Sequence, residues 1–377
     1  MKHKLVNWQY CMELSPEMLR QSDSFFLEAI GDAVRLNLTG HNYGLLPSGA
    51  GDRLYSNIHI SEHVTGHVEI SLFSCDAVTA SGIRIMFNTD GSGKPLVKDY
   101  SPTEDKNIRN RNIDRWDIIL SVDPYRRTPT GEPDPEETPP RHPDSESTFT
   151  LSIVPAGDIN TAEFGNHHLT IGRIRKEGTR FVVDPNYIPP CTCMASHPEL
   201  TAYHSEFGKY FHRLENASRS IISKVYERDS HSTLATSIRT ICEQVLWYMG
   251  SISFDYRNMG RYSPPVEITG YISTLAHTCF SSLSCMSSAG KEEMLKYFYE
   301  WTDITPGSFE DTLAQTMEIL YEHDNIRSVM VRSETFLKIL SDLWDKLGNL
   351  EYIGQHRGNV VISERNQTSE TGKSWVL

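Results

Sequence analysis

The sequence predicts an α+β protein of several domains: a β-sandwich first, then a bundle of long helices, and a small, mostly helical C-terminal region. Apolar residues alternate with polar ones in short runs over the first half, which is typical of antiparallel strands. After about residue 190 they recur every three or four positions, as in amphipathic helices. A chain of 377 residues is also longer than one hydrophobic core usually covers, which favours more than one domain. We expect domains at 1–190, 191–300 and 301–377.

The strand runs of the first domain are short and lie between Gly, Asp and Pro clusters. In one run, Val68, Ile70 and Leu72 alternate with polar residues. Similar runs lie at 116–122, 149–154, 167–174 and 179–184. This arrangement predicts an antiparallel sandwich.

One helix is expected before these strands. Ser15 fits the N-cap position and Pro16 the first helical position. The apolar residues that follow at helical spacing are Met18, Leu19, Phe25, Phe26, Ala29, Ile30 and Ala33.

A proline-rich stretch, 123–147, interrupts the strands and holds seven of the 19 prolines of the chain. Because proline removes a backbone donor and disfavours helices and central strands, we expect a long loop here. A solvated hairpin insertion is preferred over a segment that becomes ordered on a partner.

Three long helices are predicted after residue 190, with apolar positions at near-heptad spacing. This spacing predicts a helical bundle, or a bundle that self-associates. The residues that we assign to the trimer or bundle seam are Leu200, Tyr203, Phe207, Leu214, Ile221, Val225, Leu234, Ile238 and Val245.

Weaker helical patterns follow the bundle. One is expected to begin at Ser308, with apolar positions that include Leu320, and another to run from Ser333 to Gly348, where glycine is a C-cap signal. A short strand and a polar tail ending at Trp375–Leu377 are expected to close the chain.

Charge and composition exclude several classes of protein. A net charge of −13 disfavours nucleic-acid binding, which needs a basic face. No run of 18 apolar residues occurs, so direct membrane insertion is not expected. The N-terminus has no signal-peptide pattern, and seven scattered cysteines fit a reducing cytoplasm better than a disulfide scaffold.

The motifs for chemistry are weak, so we expect no enzyme, cofactor or metal. The Asp90–Pro95 stretch resembles a phosphate loop, but it lacks the upstream glycine and the Ser/Thr, and a turn is the better interpretation. Cys191, Cys193 and His197 lie close together in sequence without the second ligand pair that zinc sites usually have. An enzyme or zinc protein with a site at the junction of sheet and bundle is the less favoured alternative.

The opening of the chain resembles TssK, the baseplate subunit of bacterial type VI secretion systems. That family begins with a Trp, a Gly-Met pair, a Leu-x-Pro and a His-Phe-Gln triplet before a helix, and an aromatic-Gly step follows. Trp8, Met12, Leu14 and Pro16 keep this spacing, and Tyr43 and Gly44 form the later step. Cys11 stands in for the glycine, and Met18-Leu19-Arg20 replaces the triplet. "NYIPPC" at 186–191 resembles the step that ends the family's β domain.

The resemblance implies a homotrimer without catalytic activity, most similar to the divergent systems of the Bacteroidetes type. It implies β "shoulder" domains like those of phage receptor-binding proteins, which bind the TssF- and TssG-type wedge proteins, and a helical "neck" that joins three copies. The C-terminal "head" would contact the membrane complex, so the protein would be cytoplasmic and recruited to the inner face of the inner membrane. Because only about 75 residues follow the bundle, a reduced head or another membrane-side partner is expected.

The opening segment has two interpretations. Trp8, Met12, Leu14, Pro16, Tyr43 and Gly44 are expected to build a shoulder surface that binds the wedge; the alternative makes Trp8 a core residue of the sandwich. A phage-tail-like receptor-binding or adaptor protein remains the alternative for the whole chain.

Overall fold

A computed structural model describes residues 2–47, 56–62, 68–89, 94–101, 113–157, 164, 167–178, 180–227, 232–302 and 304–356. The chain forms two compact units, each assembled from separate stretches. The first comprises Met1–Lys209, Ser251–Thr274 and Glu318–Leu337. The second comprises Tyr210–Gly250, Leu275–Met317 and Lys338–Leu377. The sequence-based boundaries at 190 and 300 stay predictions.

The described strands form two antiparallel sheets in the first unit. Their bounds are β1 Gly44–Leu45, β2 Ser56–Glu62, β3 Val68–Val78, β4 Arg84–Asn88, β5 Leu96–Tyr100, β6 Arg115–Thr130, β7 Asp144–Pro155, β8 His168–Glu177 and β9 Arg180–Val183. In one sheet β3 is central, with β1 and β2 along one edge and β4 and β5 along the other. The other sheet has the order β7-β6-β8-β9.

The two sheets pack face to face, as the sequence predicts. Val68, Ile70 and Leu72 of β3 are fully buried, which confirms the expected alternation. The rings of Phe87 on β4 and Phe149 on β7 meet edge to face with centroids 5.5 Å apart. Interdigitating apolar side chains of this kind form the core of a β-sandwich.

A buried ion pair lies in the second sheet. The guanidinium of Arg173 on β8 donates from Nε to Asp117 Oδ1 on β6 at 2.7 Å, and it lies 4.3 Å from the ring centre of Tyr187. Removing either charge would leave its partner buried and unpaired, which is strongly destabilising.

The stretch 123–147 is an exposed β-hairpin, which agrees with the preferred solvated hairpin insertion, but most of it is paired strand rather than loop. Strands β6 and β7 stay paired as far as Thr130 and Asp144, so the connection covers only 131–143. The prolines are tolerated for a geometric reason. Among the described residues, the pairing of β8 with β6 ends at Ser121, followed by one hydrogen bond from the Val122 N–H to the His167 carbonyl. Beyond Val122 the described part of β6 pairs with β7 alone, so its other edge needs no backbone donor there. Pro124 also falls where the β6–β7 register shifts, between Asp123 and Arg127.

The α-helices that the structure describes are α1 Pro16–Arg35, α2 Pro198–Glu227, α3 Thr233–Asn258, α4 Pro265–Ser284, α5 Ser288–Thr302, α6 Pro306–Met317 and α7 Ile326–Asn349. Helix α1 begins as expected, because Ser15 Oγ accepts a hydrogen bond from the Met18 N–H at 3.3 Å. Among the described residues, no helix is both long and apolar enough to cross a lipid bilayer.

Two helix bounds after the bundle differ from the prediction. Helix α7 begins at Ile326 rather than Ser333, because buried Ile326, Val329 and Met330 extend its apolar face toward the N-terminus. Helix α6 ends at Met317, and Leu320 lies outside it, exposed. The predicted C-terminal strand and the tail with Trp375–Leu377 lie outside the described residues.

The second unit is held by apolar packing and by polar contacts between α2 and α7. Trp344 Nε1 donates to Ser218 Oγ at 2.9 Å in its core. At its surface Arg213 pairs with Asp342 at 2.7 Å and also with Asp345. These contacts join the C-terminal halves of the two helices, far apart in sequence.

Candidate functional site

Two motifs behind the family resemblance meet at a backbone junction in the first unit. The Leu45 N–H donates to the Pro190 carbonyl at 2.8 Å, and the Thr192 N–H donates to the Leu45 carbonyl at 2.9 Å. The start of the sandwich, at Gly44 and Leu45, is therefore hydrogen-bonded through its backbone to the segment at 186–192 that ends it.

Gly44 is required by this junction. Its φ of +115° lies in the region that favours glycine. A Cβ at Gly44 would lie 2.0 Å from the carbonyl oxygen of Pro190, too close for any other residue. The position is thus a close approach of two backbones, and Gly44 itself is buried rather than part of a docking surface.

A cluster of imidazole and phenol groups around the buried His323 supports the same junction. His323 Nε2 donates to the Tyr43 carbonyl at 2.8 Å, and its Nδ1 accepts from the Tyr321 hydroxyl at 2.9 Å. The Tyr43 hydroxyl donates to Asp324 Oδ1 at 3.0 Å, and His41 lies against the Tyr321 ring. This arrangement fits a neutral imidazole, and burial lowers the pKa of His323, outweighing the Tyr43 carbonyl and Asp324.

The cluster makes stability depend on pH. The unfolded chain takes up a proton on His323 near its ordinary pKa of about 6.5, whereas the folded chain does so only at lower pH. The contribution of neutral His323 is therefore complete above about pH 6.5 and is lost as the pH falls below it.

We expect His323→Gln, which keeps a donor for the Tyr43 carbonyl, to reduce this dependence. Urea midpoints at pH 7.5 and 5.5 measure it. The fall in the midpoint should be smaller in the variant than in the wild type, although His167, His197 and His204, whose pKa values burial also lowers, keep part of it. An equal fall in both proteins would show that His323 does not titrate in this way.

The two cysteines of the zinc alternative are buried in the core, whereas His197 is half-buried and its Nδ1 accepts from the Glu199 N–H at 3.2 Å. Burial raises the pKa of the Cys191 thiol well above its ordinary value, and its Sγ donates to the Pro189 carbonyl at 3.2 Å. Cys193 Sγ lies 3.3 Å from Ser196 Oγ. Zinc binds thiolates, and burial disfavours the thiolate form of Cys191. Within the described part of the chain, no three His, Cys, Asp or Glu side chains are grouped to hold a metal ion.

A cleft of about 420 Å³ in the second unit is lined by charged side chains, including Arg213, Lys338 and Lys346. Arg213 already pairs with Asp342 and Asp345. These two carboxylates occupy the guanidinium, so Arg213 is not free to bind an anion in the cleft.

The opening segment is at the surface and is held against α1. Trp8 is 47 % exposed and Leu14 67 % exposed, whereas Met12 is half-buried and Pro16 is exposed. Gln21 Nε2 of α1 donates to the Lys4 carbonyl at 3.1 Å. The Glu28 carboxylate accepts from the His3 N–H at 2.8 Å and also from the Lys2 N–H, which together lower its pKa. The exposure of Trp8 contradicts the alternative that it is a core residue.

Cys11 has φ +63°, the left-handed conformation that glycine adopts without cost. This is the position at which the resembled family carries glycine. The backbone at this position therefore has the conformation that glycine favours, although this chain carries Cys11 there.

The nine predicted seam residues are all buried in the single chain, none more than 8 % exposed. Their side chains are covered by the chain's own residues, which fits the bundle core. Their assignment to a trimer seam stays a prediction.

Two features have no simple signal in the sequence. The His323 cluster joins residues 280 apart in the chain, so it depends on tertiary structure. The exposed apolar side of α1 could not be distinguished from a buried one, because both give the same helical spacing.

Comparisons with known proteins agree with this architecture. No protein-family model matches the chain, and no curated protein matches it in sequence. A crystal structure of TssK matches the fold with a TM-score of 0.53 at 14 % identity, over 89 % of this chain and 68 % of that one.

Two further solved structures match to a similar degree. One is the cryo-electron microscopy structure of the type VI secretion system TssK-TssF-TssG baseplate subcomplex (TM-score 0.51, 14 % identity, 91 % of this chain and 99 % of that one). The other is the baseplate complex from the type VI secretion system (TM-score 0.53, 14 % identity, 91 % and 100 %).

The fold thus defines a class, an α+β protein with an antiparallel sandwich and long helices, of a kind found in secretion-system baseplates. More particularly, it is the fold of TssK. The predicted fold class and the resemblance to TssK are both confirmed at the level of the fold.

Proposed function

We propose that this chain is a structural, non-catalytic baseplate subunit of a bacterial type VI secretion system. It assembles as a homotrimer and links the TssF- and TssG-type wedge proteins to the membrane complex. The observation that carries the proposal is the breadth of the fold likeness, which covers 91 % of the chain and so includes both the sandwich and the long helices.

The remaining parts of the proposal follow from the same likeness. The protein acts in the cytoplasm, at the inner face of the inner membrane, and its C-terminal region, from about residue 301, meets the membrane-complex proteins.

The opening segment supplies a surface for the wedge. Its large exposed side chains are Leu5, Trp8, Tyr10 and Leu14. Four such residues within ten positions form an exposed apolar surface of a kind that often marks a protein interface, and tryptophan and tyrosine are enriched among the residues that dominate binding energy. The contacts of Lys4 and His3 with α1 order the start of this segment before binding, which lowers the entropic cost of association.

Trp8→Ala tests this surface. Truncating an interface tryptophan costs about 2 kcal/mol or more, so we expect wedge affinity to fall about 30-fold. Biolayer interferometry with the TssF- and TssG-type proteins of the same genome measures the change, and circular dichroism checks the fold.

The matched control is Leu320→Ala, which truncates an apolar side chain that is 84 % exposed elsewhere in the first unit. It should leave wedge binding unchanged. A folded Trp8→Ala protein with wild-type affinity would remove the opening segment from the wedge interface.

A further inference from the structure

Helix α1 turns an apolar side toward solvent. The helix has 20 residues, and its large apolar side chains Leu19, Phe26 and Ile30 are 52 %, 55 % and 63 % exposed. Its one fully buried residue is Gly31, where an added Cβ would lie 3.3 Å from Ile83 Cδ1. On a helical wheel of 100° per residue, Gly31 lies about 100–140° from the three exposed residues. The helix therefore rests on the sandwich through a small residue and presents its bulky ones outward.

The outward side has the spacing of a coiled-coil seam. Leu19, Asp23, Phe26, Ile30 and Ala33 follow one another at steps of four and three residues and are all exposed. This 4-3 repeat aligns a helix with other helices along its length, rather than with a sheet or an irregular loop. We call these five residues the α1 seam.

The α1 seam is electrically neutral, in a chain whose net charge is −13. Its one charged member, Asp23, pairs with Arg127 of the same chain at 3.1 Å. Copies of an acidic protein repel each other less where the surfaces that meet are neutral, and helices packed around a symmetry axis bring identical residues together. A neutral, apolar seam is therefore compatible with a copy of itself.

We propose that the α1 seam is covered by the α1 helices of other copies of this chain, packed in parallel around the threefold axis of the trimer. The inference rests on the proposed trimeric state and names the surface that forms it. The nine residues that the sequence assigns to a seam of the long helices are buried within one chain, so these nine are not free to contact a second copy.

Phe26→Asp in the full-length chain tests the seam by mass. Light scattering should give about three times the chain mass of 42.9 kDa for the wild type and one chain mass for the variant. Because Phe26 is exposed in the single chain, the variant should keep the wild-type circular dichroism spectrum. Leu320→Asp, a charge at another exposed leucine, should remain trimeric.

Disulfide trapping tests the geometry independently of stability. Phe26→Cys is placed in a chain whose exposed cysteines are replaced, Cys11→Ser and Cys285→Ser. Parallel helices around an axis bring the Phe26 positions together, so mild oxidation should give a covalent dimer. Glu17→Cys, on the opposite side of α1 and 83 % exposed, should stay monomeric on a denaturing gel.

Failure of this inference can be separated from failure of the proposed function by adding the wedge proteins to the same preparations. A wild type that is monomeric, or a Phe26→Asp protein that stays trimeric, overturns the α1 seam even if the wedge binds. Loss of the trimer in Phe26→Asp together with trapping at Phe26→Cys supports the seam even if the wedge does not bind.

Discussion

Gly44→Ala should prevent stable folding of the sandwich. The new Cβ would meet the carbonyl oxygen of Pro190 at 2.0 Å and its carbonyl carbon at 2.2 Å. Both are backbone atoms, so no side-chain rotation relieves the clash. The φ of +115° adds backbone strain of about 1–3 kcal/mol for a non-glycine residue. We expect a total loss above about 4 kcal/mol, at the extreme of point-mutation effects.

Urea denaturation followed by tryptophan fluorescence measures this loss. Gly40→Ala is the matched control, since Gly40 has ordinary backbone and a Cβ there would meet no atom within 4 Å. It should change stability by no more than about 1 kcal/mol. Equal midpoints for the two variants would show that the junction of Leu45 with Pro190 and Thr192 is not formed in solution.

Leu214→Asp should unfold the second unit. Leu214 is completely buried, and losing its side chain costs about 1.5–3 kcal/mol of apolar burial. A carboxylate without a partner in an apolar core adds a desolvation penalty, so we expect the sum to exceed about 4 kcal/mol. The expected result is loss of helical circular dichroism at room temperature.

Trp247→Asp is the control for Leu214→Asp. It places the same charge in the same unit at a side chain that is 78 % exposed, and the protein should stay folded. The pair also separates two roles of the predicted seam. A Leu214→Asp protein that stays folded but becomes monomeric would mean that Leu214 faces another copy rather than its own core.

The sequence patterns predicted the local structure well where it depends on residues that are close together in sequence. Ser15 and Pro16 start α1 as expected, since capping needs only neighbouring residues. Val68, Ile70 and Leu72 all face the core, because residues two positions apart on a strand lie on the same face. The proline-rich stretch forms the expected solvated hairpin, but its paired strands were not predicted, because the sequence does not reveal that, among the described residues, β6 pairs only with β7 beyond Val122.

The candidate site depended more on tertiary structure. Tyr43 and Gly44 were expected at a binding surface, yet Gly44 is buried in a backbone junction and Tyr43 is half-buried beside His323. The spacing of Leu214 and Ile221 and that of Phe26 and Ile30 both fit amphipathic helices, but the first pair is buried and the second exposed. Helical periodicity locates an apolar face without saying what covers it.

The most direct test of the proposed function is the mass of the purified chain, measured by light scattering with and without the TssF- and TssG-type proteins of its genome. We predict a species of about three chain masses alone, and a heavier species containing all three proteins after mixing. A chain that is monomeric alone and keeps that mass in the presence of both wedge proteins would contradict the baseplate role.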